Sequence, residues 1–284
     1  MTLGPLEEEL AKARAAYRNR GRWGEDDVLG TLNFIDDAIR AHAASLVRRG
    51  RSFSLAQGFE GSGPWPGRQA VTRWEGLGRG HATEQAWNGR SCTAVDGHGG
   101  DCVTGFGHLR GAFTGRGVLL DVGRAVGDAL GELPDGFAIS EEHLQDTVEA
   151  QGATSSVRRG DIVLVRTGQL GRVRRLGAWD GYAAGDAPGL SFTTLGRLHR
   201  TEIAAVATDT WGLEVRPYEF AEPAAAPLHR IAIPHMGLPL GEMWDLETLA
   251  EDCAADGVYE FLLVAAPLPV TGAVGAPVNP IAVK

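Results

Sequence analysis

Between residues 98 and 108 the sequence reads HGGDCVTGFGH, a glycine-rich stretch with a histidine at each end and Asp101, Cys102 and Thr104 between them. Imidazole, carboxylate and thiolate groups hold zinc and other transition metals, and imidazole is also the usual general base near neutral pH. The order of these side chains matches no standard zinc spacing. The stretch reads as a metal site, as the remnant of one, or as a catalytic loop that works without metal.

Three other places gather reactive side chains. Asp209 ends an apolar run in ATDTWGLEV, and His229, His235 and Glu242 fall within LHRIAIPHMGLPLGE. Near the start, WGEDDVLGTLN holds Trp23, Asp26, Asp27, Thr31 and Asn33. None of these is diagnostic by spacing, and the P-loop, the G-x-S-x-G elbow and H-E-x-x-H are all absent. Singly, each residue also has a structural explanation. A loop histidine commonly serves as a hydrogen-bonding group, a strand-end aspartate caps a turn, and a small thiol packs in a core.

The elements that must position these groups are legible in part. Residues 5–20 predict a helix rich in Ala, Glu, Lys and Arg. A second helix is predicted from Asp36, with Ile39, Ala43, Leu46 and Val47 on one face, Asp36 or Asp37 as its cap and Gly50 as its stop. RSFSLAQ alternates like a strand, RGVLLDVGRAVG reads as a short buried strand, and SEEHLQDTVEAQG is a well-marked capped helix. RRGDIVLVRTG and EIAAVATDTWGLEV are buried strands, WDLETLAEDCAADG a helix and YEFLLVAAPLPV a late strand. Residues 58–97 show little periodicity and predict a long irregular arm, a kind of segment that often carries function. Trp65, Trp74 and Trp87 in that arm, with Phe106, suggest an apolar or aromatic ligand. Many strands lack a helix between them, which favours mixed α/β over a Rossmann or barrel fold.

Composition narrows the function classes. The chain has 284 residues, enough for one large domain or two small ones, and with 43% hydrophobic and 22% charged residues it can bury a sizeable core. A formal net charge of −9 argues against a nucleic-acid partner. No apolar run is long enough to span a bilayer, and the charged N-terminal helix lacks the apolar segment of a signal peptide. Cys92, Cys102 and Cys253 make an odd count that fits a reducing cytoplasm, the expected location.

The blocks WGEDDVLGTLNFI, RGVLLDVGRA, RRGDIVLVRTG, ATDTWGLEVRP, LHR and LAEDCAADGVYEFLLVAAPLPVTGAVGAPVNPIAVK together resemble the cyclase family of metal-dependent hydrolases. That family includes bacterial kynurenine formamidase, isatin hydrolase and some aromatic-polyketide ring cyclases of natural-product biosynthesis. The resemblance runs from Trp23 to Lys284 and implies a swivelling β/β/α domain over 1–284 with an N-terminal helical arm of about 1–50, assembled as a homodimer or homotetramer. The family's metal signature, H-x-G-T-H-x-D-x-x-x-H, falls here with His98, Gly100 and His108 kept. Asp101 stands at the threonine, Cys102 at the second histidine and Thr104 at the aspartate. In relatives with the full signature the first two histidines and the aspartate bind metal, and the last histidine is a general base. The later histidine and glutamate ligands fall on His229 and Glu242.

These departures strike the metal and spare the base. A hydroxyl at Thr104 is a poor substitute for a bridging carboxylate, so a two-metal site is not expected. A single zinc or manganese held by His98, Cys102, His229 and Glu242 stays open, and weak or no native metal is the expectation. The resulting reading is a small-molecule enzyme acting on a carbonyl compound. His108 is its general acid–base, with Cys102 and Asp209 as further catalytic candidates and Trp23, Asp101, Thr104 and Phe106 against the substrate. Cyclisation, dehydration and isomerisation are expected of a metal-free site, and hydrolysis of an amide, lactam or lactone of a metal-bound one. The rival from another class is a catalytically inactive relative that binds a ligand or serves as a scaffold.

Overall fold

Alternation along the central strands sends aliphatic side chains to both faces of one mixed sheet. The computed structural model describes residues 5–58, 71–78, 85–90, 105–220 and 226–284. The chain begins with α1 (Leu6–Ala16), α2 (Asp37–Ser45), β1 (Ser52–Ser54), β2 (Arg73–Glu75), β3 (Thr114–Asp121) and α3 (Val122–Val126). Next come β4 (Ala138–Ile139), α4 (Glu141–Gln151), β5 (Ile162–Arg166), α5 (Gln169–Leu176), β6 (Gly189–Leu190), α6 (Leu195–Arg200) and β7 (Ala205–Thr208). The last elements are α7 (His229–Ile231), β8 (Leu240–Glu242), α8 (Glu247–Asp256), β9 (Glu260–Val264), β10 (Gly275–Pro277) and β11 (Ile281–Val283).

Nine strands make one sheet in the order β1-β11-β9-β3-β5-β7-β8-β2-β10, and β4 pairs with β6 separately. The block β3-β5-β7-β8 is parallel, and the strands on either side of it pair antiparallel. Val118, Leu120, Val163, Val165 and Val206 point to one face and pack with Leu10 of α1, Leu144 of α4 and Leu198 of α6. Their strand neighbours Leu119, Leu164 and Ala207 point to the other face and pack with Leu249 and Cys253 of α8. A sheet buried on both faces needs near-continuous apolar strands, which is why IVLVR is so plain in the sequence. Among the described residues no helix is long and apolar enough to cross a membrane.

The mixed α/β expectation holds, and several elements fall where the sequence puts them. Asp36 caps α2 by accepting from the Ile39 N–H at 2.8 Å. Ser140 caps α4 in a reciprocal box with His143, and Gly152 ends that helix. Three readings need correction. The α2 helix ends at Ser45, short of the predicted stop at Gly50. RGVLLDVGRAVG is not all strand, because the Asp121 carboxylate accepts from the Arg124 N–H at 3.1 Å and starts α3. The stretch 58–97 is not all irregular either, since it contains β2 and a 3₁₀ turn at Trp87–Gly89.

Its aromatics build core. Trp74 stacks on Phe113 with ring centroids 4.6 Å apart, meets Trp244 edge-on at 4.8 Å and donates to the Ala265 carbonyl at 2.9 Å. Trp87 is fully buried and donates to Asp27 Oδ2 at 3.0 Å. Trp65 lies outside the described residues.

Candidate metal centre

Strands β2 and β8 pair antiparallel with Arg73 opposite Glu242 and Glu75 opposite Leu240. Side chains two apart share a face, so Arg73, Glu75 and Glu242 project to the same side of the sheet. Trp74 and Gly241 face the other way, into the core, and this contact fixes how closely the two strands approach. A Cβ on Gly241 would stand 2.5 Å from the Ala207 Cβ and 2.9 Å from the Trp74 ring. Both carboxylates are almost completely buried, each about 2% exposed.

The third member comes from outside the sheet. His229 opens α7, and Glu214 anchors that turn. The Glu214 carboxylate accepts from the Leu228 N–H at 2.9 Å, from the His229 N–H at 3.3 Å and pairs with His229 Nδ1 at 2.5 Å. An anion at the first turn of a helix is also favoured by the backbone dipoles there. With Nδ1 so engaged, Nε2 points to Glu242 Oε1 at 3.3 Å and Glu75 Oε2 at 4.0 Å. One ligand atom from each of Glu75, His229 and Glu242 lies within 4.8 Å of the others.

The backbone on both sides of this cluster is strained. Leu213, just before Glu214, has φ +57°, and Met243, just after Glu242, has φ +61°. A left-handed conformation at a non-glycine residue costs about 1–3 kcal/mol and persists only where the surroundings enforce it. Here it brings two carboxylates onto opposite nitrogens of one imidazole. After α7 the chain makes a π-helical turn, Ala232–Met236, a distortion frequent at functional sites.

Charge is out of balance in the site as it stands. Burial opposes protonation of His229, yet hydrogen bonds to Glu214 and Glu242, with the charges of Glu214 and Glu75, outweigh it and lift the pKa to about 10. Burial and the neighbouring charge of Glu75 push the Glu242 carboxyl up, against the pull of Arg73. Arg73 pairs with Glu242 and approaches Glu75 at 3.6 Å. Among the described residues, three carboxylates thus face two cations, the guanidinium and the imidazolium, with one negative charge left over. A divalent cation beside a neutral imidazole would cancel it.

The donor set fits such an ion. Two carboxylates and one imidazole are hard-to-borderline ligands that suit zinc or manganese. A carboxylate behind the imidazole is the outer partner that metal-binding histidines ordinarily carry. The expectation of a depleted, metal-free site therefore finds no support among the described residues.

The other residues named from the sequence are placed as follows. His229 and Glu242 meet, with Nε2 3.3 Å from Oε1. His98, Asp101, Cys102 and Thr104 lie outside the described residues. His108 is exposed in the turn that follows them. That turn packs beside the site strand: Phe106, fully buried, would touch a Cβ on Gly76 at 2.6 Å, and its N–H donates to Ala273 O. Asp209 is fully buried and fastens the start of α5, accepting from the Thr167 N–H, the Thr167 hydroxyl and the Gly168 N–H, each at 2.8 Å. Burial, helped by the charge of Glu247, raises the Asp209 pKa to about 6 against these donors. Trp23 is half-buried, edge-on to Phe34 at 5.1 Å. Asp27, Thr31 and Asn33 form a clasp, with Thr31 Oγ1 donating to Ala204 O and Gly237 O.

Glu75 is the candidate ligand that the sequence did not reveal. It sits in a three-residue strand inside the stretch read as irregular, and no metal motif surrounds it. The one available signal was RWE, charges alternating about a large apolar residue in front of a glycine.

Comparison with known proteins agrees with this architecture. A family model, Cyclase, matches residues 56–215. A solved structure described as a novel cyclase superposes with a TM-score of 0.86 at 32% identity, covering 94% of this chain and 100% of that one. Isatin hydrolase A from Ralstonia solanacearum superposes at 0.56 with 16% identity over 88% of this chain and 98% of its own. Isatin hydrolase A from Labrenzia aggregata, bound to benzyl benzoate, gives 0.54 at 15% identity over 86% and 96%. Among curated proteins, none matches the sequence. A model spanning more than half of the chain and a near-complete match at 32% identity lead to one conclusion: the chain belongs to the cyclase family.

Proposed function

We propose that the protein is a metal-dependent hydrolase of a small carbonyl compound, an amide, lactam or lactone, with one divalent ion held by Glu75, His229 and Glu242. The observation that carries this reading is the convergence of three buried ligand atoms on one point, with Glu214 clamping the far side of the imidazole. When bound, the ion supplies Lewis acidity toward a carbonyl and toward water. The protein's own groups do the rest. Glu214 fixes the ring so that Nε2 faces Glu242 and Glu75, where it would help hold the ion, and burial of the carboxylates strengthens every charge interaction there. At the rim, Arg73 lies over the half-buried Trp211 indole, with the guanidinium carbon 4.7 Å from the ring centroid. That pair offers a flat face to a small apolar or aromatic substrate, and the benzyl benzoate bound by one isatin hydrolase is a ligand of this type.

The test is elemental analysis of protein purified without added metal, followed by assays on a panel of formamides, lactams and lactones. Chelation should abolish turnover, and zinc or manganese should restore it with one ion per chain. Turnover that persists in protein verified to be metal-free would refute the reading.

A further inference from the structure

Arg73 already places a positive charge where the ion would place one. It stands directly across from Glu242 in the β2–β8 register and two residues from Glu75 on the same face. Its guanidinium pairs with Glu242 and reaches toward Glu75 at 3.6 Å, so it touches both carboxylate ligands. Three further contacts hold it there: a hydrogen bond to Trp211 O at 3.3 Å, a contact with Met243 Sδ at 3.5 Å, and the Trp211 ring beneath it. The side chain is 20% exposed, against 3% for Glu242, so it closes the outer side of the cluster.

We propose that Arg73 is a resident counter-cation that competes with the divalent ion for Glu242 and Glu75 and thereby sets the occupancy of the centre. This inference rests on the metal-centre reading above and adds the control of loading. An arginine cannot shed its charge in a protein, so the competition operates at every pH the fold tolerates. Without the ion, Arg73 neutralises part of a buried three-carboxylate cluster and keeps it assembled. With the ion, the guanidinium loses its share of Glu242 and adds repulsion toward a doubly charged neighbour within a few ångströms. Both effects weaken binding. The expected result is a centre that keeps its shape when empty and exchanges its metal.

The experiment compares wild type, Arg73→Met and Arg73→Lys by competition of Mn²⁺ and Zn²⁺ against a chromophoric chelator, with melting curves in excess chelator and in excess metal. Methionine keeps much of the stem volume and removes the charge, and lysine keeps the charge. Arg73→Met should bind metal at least about tenfold more tightly, the direction that loss of a nearby positive charge dictates. It should also melt lower than wild type in chelator and gain more from added metal. Arg73→Lys should stay near wild type in affinity. If wild type binds metal and Arg73→Met binds it no more tightly, the competition is refuted while the metal centre stands. If neither takes up metal at millimolar concentration, the metal-centre reading fails and the competition fails with it. Should Arg73→Met fold only with metal present, extraction by graded chelator gives the same affinity comparison, and tighter retention is still required.

Discussion

Replacing Glu214 by glutamine isolates what the outer carboxylate does for the centre. Glutamine keeps the length and one acceptor oxygen but loses the charge and turns an NH₂ toward groups that are themselves donors. The wild-type carboxylate accepts from two backbone N–H groups and holds His229 Nδ1 at 2.5 Å, all at a position 4% exposed. Hydrogen bonds to a charged group are worth about 1.5–3 kcal/mol and neutral ones about 0.5–1.5, so the imidazole pairing weakens by about 1–2 kcal/mol. Metal affinity should fall about 10–100-fold, the usual result of removing an outer-shell partner, or about 1.4–2.7 kcal/mol. The metal-free protein should lose less. Glu214→Gln removes one of three crowded carboxylates, and this offsets part of the lost bonding. Affinity for Zn²⁺ and Mn²⁺ is read by chelator competition and stability by thermal melts with and without metal. The expected pattern is a melting point within a few degrees of wild type without metal and a clearly smaller gain on adding it. A folded Glu214→Gln variant that binds metal as tightly as wild type would show that the imidazole needs no clamp, and the argument from geometry would fall.

Three shorter predictions follow from other parts of the structure. Gly241→Ala, whose new Cβ would stand 2.5 Å from Ala207 Cβ, should cost about 1–3 kcal/mol and displace Glu242, lowering metal affinity together with the melting point; a variant with both unchanged would contradict the packing. His235 is pushed down to about 4 by burial and by the charges of Arg14, Arg18 and Arg20. Its folded pKa lies below the unfolded value of about 6.5, so the stability it contributes is complete above pH 6.5 and drains as pH falls toward 4. His235→Gln should flatten the melting curve over that window, and equal slopes in both proteins would refute the assignment. His108→Ala should slow turnover about 10²–10⁴-fold if His108 is the acid–base group, with melting recorded on the same sample; full turnover in folded protein would end that proposal.

How much of this was written in the sequence depends on the range of each interaction. Asp36 and Ser140 act on atoms three residues away, so their caps could be read directly. IVLVR needed only its own composition to declare a strand buried on both faces. His229 and Glu242 were named through the resemblance, which implies a histidine and a glutamate ligand in those blocks. Glu75 was not legible. Its strand is three residues long and is stabilised by β8 and β10, both more than 160 residues away, so local periodicity carried almost no signal. Glu214 and Arg73 were not singled out either, because nothing in the residues around them marks His229 or Glu242 as their partners. The loop at 98–104 drew attention to departures from the family signature, while the described fold assembles three candidate ligands from separate parts of the chain. The sequence by itself determined helices α1, α2, α4 and α8, the central strands and the family. Which carboxylates share one buried imidazole was decided only by the tertiary structure, through the β2–β8 register and the left-handed turns at Leu213 and Met243.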